Sequence, residues 1–232
     1  MKLPLIDLSS ASAQVVTSAL RKNGIIAVSG HGIDVGLIEK KQQCDECLFT
    51  LSNLEEYATN TVGGYFRSPS KNDTRRVWQV LPSSNFAPKG MPDFLLISLQ
   101  LLDEYKKLFY KILGCIEEAS QNLWSYADAS TPVLRSWECF AKADIPNPPK
   151  FRVLEHCDSG LLTILPVPKE PGYQACIRRR WTSIFVEDFP PHTLLIHGGW
   201  ALWDIARITP CMHRVRWTKN KRISSLFSTI IR

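Results

Sequence analysis

His156-Cys157-Asp158 sets an imidazole and a carboxylate one residue apart. Alternate side chains at a strand end point to one face, so both groups can address a single point, as two ligands of a metal ion must. With five histidines and eleven aspartates in the chain, chance supplies a His-x-Asp about one time in four, so the pair decides little without a third partner. His213 is the candidate, in Pro210-Cys211-Met212-His213-Arg214-Val215, 55 residues beyond Asp158. Two histidines and one carboxylate occupy one face of an iron(II) ion and leave three positions open for other ligands. Nine residues later, Arg222-Ile223-Ser224 places a guanidinium fork and a hydroxyl on one face of a strand, a pair suited to holding a carboxylate.

The other candidates have plainer uses. His197 lies on an apolar stretch 39 residues past Asp158 and competes for the third place. A hydrogen-bonded core histidine is the commoner fate of such a residue, and the downstream Arg222/Ser224 pair sides with His213. His31, before Gly32, is expected to serve a turn, and His192, after Pro190-Pro191, to face solvent. Cys44-Asp45-Glu46-Cys47 has metal spacing but no second pair to complete a zinc site, which favours an ordinary helix. Seven scattered cysteines suit free thiols in a reducing compartment. The net charge of +6 admits nucleic acid or an anionic small molecule. No aromatic residues interleave the Arg178-Arg179-Arg180 run, so nucleic acid is not the expected partner. Arg67, Arg75, Arg76 and Arg178 to Arg180 hint at an anionic substrate.

These residues need a scaffold, and the patterning supplies one. Apolar runs at 3–8 and 25–28 read as strands. Residues 15–23, stopped by Gly24, and residues 35–51 read as helices. Residues 60–92 are rich in Gly, Ser, Pro and Asn and read as loop, with one strand at 77–81. Spacing by threes and fours predicts a long helix from Pro92 to about Tyr126. After Pro132 the texture turns to short strands at 151–154, 161–165, 173–177, 181–186, 193–196 and 223–231, which suggests a sandwich or double-sheet jelly roll. The loops at 63–85 and 166–180 are expected to shape any pocket. No window approaches the roughly 18 apolar residues of a membrane span, and the N-terminus is polar too early for a signal peptide. A cytoplasmic protein without a membrane partner is expected.

Leu3-Pro4-Leu5-Ile6-Asp7-Leu8, Gly30-His31-Gly32-Ile33, Gly64-Tyr65, His156-Cys157-Asp158-Ser159-Gly160-Leu161-Leu162-Thr163-Ile164-Leu165, His213-Arg214-Val215 and Arg222-Ile223-Ser224 follow one another nearly end to end. Together they resemble the iron(II)- and 2-oxoglutarate-dependent oxygenase superfamily, in the branch that includes isopenicillin N synthase and the plant hormone and flavonoid dioxygenases. The resemblance implies a double-stranded β-helix core, a cupin-like jelly roll, over residues 131–232. Residues 1–130 would form an N-terminal α/β extension with a supporting helix. It further implies catalytic iron on His156, Asp158 and His213, with the distal carboxylate of 2-oxoglutarate on Arg222 and Ser224. Fe(II), 2-oxoglutarate and O2 would be the cofactors, with ascorbate as an accessory reductant. The implied activity is hydroxylation or desaturation of a small molecule, with succinate and CO2 released. The alternatives are an isopenicillin N synthase-like oxidase that does not use 2-oxoglutarate, or a non-catalytic binding protein that keeps the fold. Two stretches depart from the pattern. Where the branch places Asn-x-Tyr ahead of the metal strand, this chain has Glu138-Cys139-Phe140-Ala141-Lys142. Where the branch has Asn-x-Gly-Asp, it has His197-Gly198-Gly199.

Overall fold

Short apolar runs pair into two facing sheets in the computed structural model, which describes residues 3–58, 63–67, 74–116 and 121–230. β1 (Leu5–Asp7), α1 (Ala13–Asn23), β2 (Ile25–Ser29) and α2 (Val35–Leu48) lead to the antiparallel pair β3 (Gly64–Arg67) and β4 (Arg75–Val80). After α3 (Asp93–Cys115) and α4 (Gln121–Ala129) come β5 (Thr131–Cys139), β6 (Val153–His156), β7 (Leu162–Pro166), β8 (Tyr173–Ile177) and β9 (Arg180–Ser183). β10 (Leu194–Gly198), α5 (Trp200–Ala206), β11 (His213–Val215) and β12 (Arg222–Ile230) complete the order. The larger sheet runs β1-β2-β10-β7-β12-β5-β4-β3 and the smaller β6-β11-β8-β9.

Period-2 alternation assigns the two faces of the large sheet. Ile26, Val28, Leu194, Ile196, Ile164 and Phe227 point outward and bury themselves against α1 and α3, with Leu20, Tyr105 and Phe109. Ile25, Ala27, Leu195 and Leu165 point the other way and meet Tyr173, Ala175, Ile177 and Val215 of the small sheet. α1 is held at both ends. Ser12 accepts from the Val15 amide, and Gly24 takes φ 73 while its N–H donates to Leu20 O. A Cβ at Gly24 would come within 2.9 Å of Thr209 O, so close approach and the left-handed backbone both require glycine there. No helix among the described residues is long and apolar enough to cross a membrane.

Several expectations need correction. Residues 64–67 are a strand rather than loop, and the strand expected at 77–81 runs from Arg75 to Val80. The long helix ends at Cys115, where Ile116 turns extended (ψ 97), and α4 is separate. α5 interrupts the half expected to be all β. β5 went unread because its polar residues obscure the alternation. Its outward Ser136 and Glu138 meet buried charges, and its inward Arg135 and Trp137 face a cavity. Cys44 and Cys47 sit on α2 as free thiols, as an ordinary helix requires.

The charges behind β5 form a clamp. Lys41 and Asp45 of α2 are 0% and 1% exposed and pair with one another. Lys41 donates to Ser136 Oγ of β5 at 2.7 Å, Ser136 donates to Asp45 Oδ1 at 2.5 Å, and Ser225 of β12 donates to Asp45 Oδ2. The network ties α2 to the two strands that carry Arg135 and Arg222. Asp45→Ala strands a buried ammonium, which costs roughly 3–5 kcal/mol. The expected outcome is a lower urea midpoint at unchanged slope; a loss under about 1 kcal/mol, the worth of an exposed pair, would show the clamp to be solvated.

Candidate metal centre

β6 and β11 pair antiparallel with His213 directly opposite His156, which puts the two ring centroids 4.2 Å apart. Asp158 follows two residues after His156, and one ligand atom from each of the three side chains lies within 4.8 Å of the others. Both rings are fixed from behind. His156 Nδ1 lies 2.8 Å from Leu154 O and His213 Nδ1 3.1 Å from Cys211 O. A carbonyl only accepts, so Nδ1 carries the proton and Nε2 keeps its lone pair for a metal. Thr163 donates to Asp158 Oδ2, while Oδ1 stands 3.6 Å from His156 Nε2. Burial alone would raise the Asp158 carboxyl. The fields of His197 and His213, the Thr163 hydrogen bond and His156 together bring it below the usual carboxylate value. Burial pulls His213 down against the opposing pull of Asp158. An anionic oxygen and two imidazoles with outward lone pairs fit a divalent ion.

The departure at His197-Gly198-Gly199 has a structural role. α5 starts at Trp200, whose N–H donates to Asp158 O at 2.8 Å, and the Ala201 N–H donates to Ser159 O at 3.3 Å. The helix start therefore grips the ligand loop. A Cβ on Gly199 would lie 2.2 Å from Gly160 O and 2.7 Å from Asp158 O. Gly199→Ala must push that loop away, and displaced supporting contacts typically cost 10–100-fold in metal affinity. A competition titration with a chelator is expected to show a loss in that range, and unchanged affinity would show that the loop has room to yield.

His197 is neither a hydrogen-bonded core residue nor a member of the triad. It sits on the inward face of β10, 1% exposed, with Nδ1 3.8 Å from Asp158 Oδ2 and without a hydrogen-bond partner among the described residues. Burial drives its pKa down to about 3, aided by His213 and opposed by Asp158. It also groups with Cys211 and His213 at metal-ligand distances. Cys211 does not line the cavity, however, and His213 Nδ1 is already bonded to its carbonyl. Only the set with Asp158 opens onto space. His31 and His192 behave as expected: His31 Nδ1 accepts from the Ile33 N–H, its Nε2 donates to His192 O, and His192 is exposed.

The triad faces a cavity of about 570 Å³ between the sheets, lined among others by Arg222, Ser224, Tyr173, Trp137, Arg135, Phe66 and Gln79. That volume is in the range of small-molecule sites. Arg222 is 3% exposed, and its Nε and Nη1 have no hydrogen-bond partner among the described residues. Tyr173, unforeseen from the sequence, stacks near His213 at 5.7 Å with the Arg222 guanidinium 5.7 Å from its ring. Its hydroxyl is likewise buried without a partner. Burial holds that hydroxyl far above its ordinary pKa, so it stays a neutral donor. A buried guanidinium and phenol with orphaned donors fit a carboxylate. The arginines that hinted at an anion lie elsewhere. Arg75 stacks on Trp137 at 4.4 Å, Arg76 pairs with Glu138 at 2.5 Å, and Arg178 to Arg180 are exposed at the β8–β9 turn. The side chain of Arg67 is outside the described residues. Among the described residues, the cavity-lining arginines are Arg135 and Arg222.

No protein-family model matches the chain. Among curated proteins it is 25% identical over 221 residues to the flavonol synthase/flavanone 3-hydroxylase of Matthiola incana, covering 85% of this chain and 74% of that one. It is 22% identical over 260 residues to gibberellin 20 oxidase 3 of Arabidopsis thaliana, covering 92% and 65%. Among solved structures, JOX2 in complex with 2OG, Fe and JA superposes with TM-score 0.82 at 18% identity, over all of this chain and 75% of that one. The dioxygenase for auxin oxidation 1 of Arabidopsis thaliana, solved with 2-oxoglutarate, does so with TM-score 0.77 at 18% identity, over 98% and 92%. The fold is the double-stranded β-helix of the Fe(II)/2-oxoglutarate oxygenases with an N-terminal helical extension.

Proposed function

We infer that the chain is a mononuclear Fe(II)- and 2-oxoglutarate-dependent oxygenase of a small molecule. The observation that carries this is a cavity with an open His156/Asp158/His213 face and a buried Arg222 whose Nε and Nη1 have no hydrogen-bond partner among the described residues. In this reading the three side chains hold the ion, and the Arg222 fork and the Ser224 hydroxyl take the distal carboxylate of 2-oxoglutarate. Tyr173 supplies the hydroxyl that the absent Asn-x-Tyr would have given. Leu226, Val153, Leu165 and Val215 wall the site, which excludes water and strengthens the charge contacts within it. When bound, Fe(II), 2-oxoglutarate and O2 supply an oxidant for a substrate C–H bond, with succinate and CO2 as co-products. The protein's share is positioning.

Structural neighbours solved with 2-oxoglutarate favour a user of that co-substrate over an isopenicillin N synthase-like oxidase. Anaerobic addition of Fe(II) and then 2-oxoglutarate is expected to give a visible charge-transfer band, and aeration to give succinate. Iron binding without either signal would leave the oxidase; no iron binding would leave a protein that keeps only the fold. In the same titration Tyr173→Phe should weaken 2-oxoglutarate about tenfold, the worth of one hydrogen bond to a charged group, at full iron occupancy. Equal affinity would remove Tyr173 from the site.

A further inference from the structure

Arg135 has no part in holding the ion or the co-substrate, yet it lines the same cavity. It points inward from β5 opposite Leu226 of β12, whereas Arg222 stands opposite Cys139. Four residues separate the two positions along the strands, about 13 Å at the usual rise. One guanidinium therefore stands at each end of the space. Contacts place the triad between them: His213 and the Arg222 guanidinium each lie 5.7 Å from the Tyr173 ring, while Asp158 accepts from Thr163, next to Ile164, which pairs with Phe227 beside Leu226 at the Arg135 end.

Arg135 is fixed in place but not neutralised. Its Nε donates to Gln79 Oε1 at 3.0 Å and its Nη1 to Ser228 Oγ. Both acceptors are uncharged, and Arg135 forms no ion pair among the described residues. A guanidinium carries five N–H donors, so three remain. Burial lowers its pKa, with Asp158 opposing, but an arginine keeps its charge. The charged residues lining the cavity, among those described, are Arg135, Asp158 and Arg222. A divalent ion, Asp158, dianionic 2-oxoglutarate and Arg222 are together neutral. Arg135, half-buried, is then the one uncompensated charge lining the cavity, and a substrate that fills the space strips water from it, where an unpaired ion is costly.

We propose that the primary substrate carries a carboxylate that docks on Arg135, at the Asp158 end of the cavity, with its apolar body against Phe66, Trp137 and Ile230. This rests on the oxygenase reading, since the neutrality of the other charges assumes both cofactors. Gln79 and Ser228 orient the fork, and the substrate's charge completes the balance. A neutral isostere of the substrate leaves Arg135 desolvated and unpaired, so discrimination between acid and amide is the property to measure.

The probes are matched pairs of aromatic monocarboxylates and their primary amides: benzoate, phenylacetate, 3-phenylpropionate and cinnamate. They are titrated against the chain loaded with Mn(II) and 2-oxoglutarate, with tryptophan fluorescence as the readout. At least one acid is expected to bind tenfold or more tightly than its amide. Arg135→Gln should abolish the preference, and Arg135→Lys should restore part of it, with 2-oxoglutarate affinity unchanged in both. Acids and amides of equal affinity, an acid preference that survives Arg135→Gln, or no binding by any acid would each overturn the proposal. Failure of the wild-type chain to bind Mn(II) and 2-oxoglutarate would instead overturn the oxygenase reading. The acid preference is then read on the metal-free chain in an Arg222→Met background, where the other guanidinium no longer competes, and its absence there overturns the proposal too.

Discussion

His213→Ala is expected to lose its iron and all succinate formation while remaining folded. The strand that carries His213 is held by backbone pairing to β6 and β8 and by Val215 in the core between the sheets, none of which needs the imidazole. Metal binding does need it. With one ligand gone, the remaining imidazole and carboxylate are left on an ion that still has water available, so the loss should exceed the roughly 10–100-fold that follows removal of a group merely hydrogen-bonded to a ligand. Metal analysis after gel filtration, alongside a thermal melt, checks both halves. His197 makes the test sharper, because its ring centroid is 4.8 Å from that of His213 and its Nδ1 is 3.8 Å from Asp158. If iron persists in His213→Ala but leaves His197→Ala, the third ligand has been misassigned. The expected pattern is the reverse: His197→Ala keeps its iron.

The two separated segments that form the triad were legible because strand geometry is strict. A period of two residues puts His156 and Asp158 on one side, and the same rule puts Arg222 with Ser224. His213 was reached through the Arg222/Ser224 pair nine residues downstream, which favoured it over His197, and its position opposite His156 is a property of cross-strand register, which local sequence does not state. Tyr173 and Arg135 were missed for a related reason. Each faces the cavity from a strand whose inward positions carry polar tips, Tyr173 on β8 and Arg135 with Trp137 on β5. Read locally, such residues belong on a surface. The Ser136 and Glu138 positions of β5 face outward, yet they too are buried, against Asp45 and Arg76. With both faces of the strand polar, the alternation that marks a strand was erased. The end of α1 was easier, since its cap is local: Gly24 stops the helix in sequence and in structure alike.

Arg222→Met is expected to make the cofactor-free chain as stable as the parent or more so, while raising the 2-oxoglutarate dissociation constant at least about 100-fold. Two terms oppose each other in the free protein. The variant gives up the contact of the guanidinium with the Tyr173 ring, at the long distance of 5.7 Å, which is worth up to about 2 kcal/mol at a desolvated site. It also relieves a fully buried cation whose Nε and Nη1 have no partners among the described residues, and whose pKa burial pulls down. Exchanging such a buried charge for an apolar side chain of similar length is often neutral or stabilising by about 1–4 kcal/mol, so the second term matches or exceeds the first. In the bound protein the balance reverses. A bidentate pair with a carboxylate contributes two charge-assisted hydrogen bonds at roughly 1.5–3 kcal/mol each, so 100-fold is the lower bound of what their loss costs. Arginine does not titrate in the accessible range, so neither effect should vary around neutral pH. The decisive measurement is a thermal shift with and without 2-oxoglutarate in the presence of Mn(II). If Arg222→Met melts lower than the parent when free and keeps the full ligand-induced shift, the buried guanidinium is a structural ion and the co-substrate is held elsewhere. A higher free melting point with the shift abolished ties the unpartnered donors of Arg222 to the carboxylate they are positioned to receive.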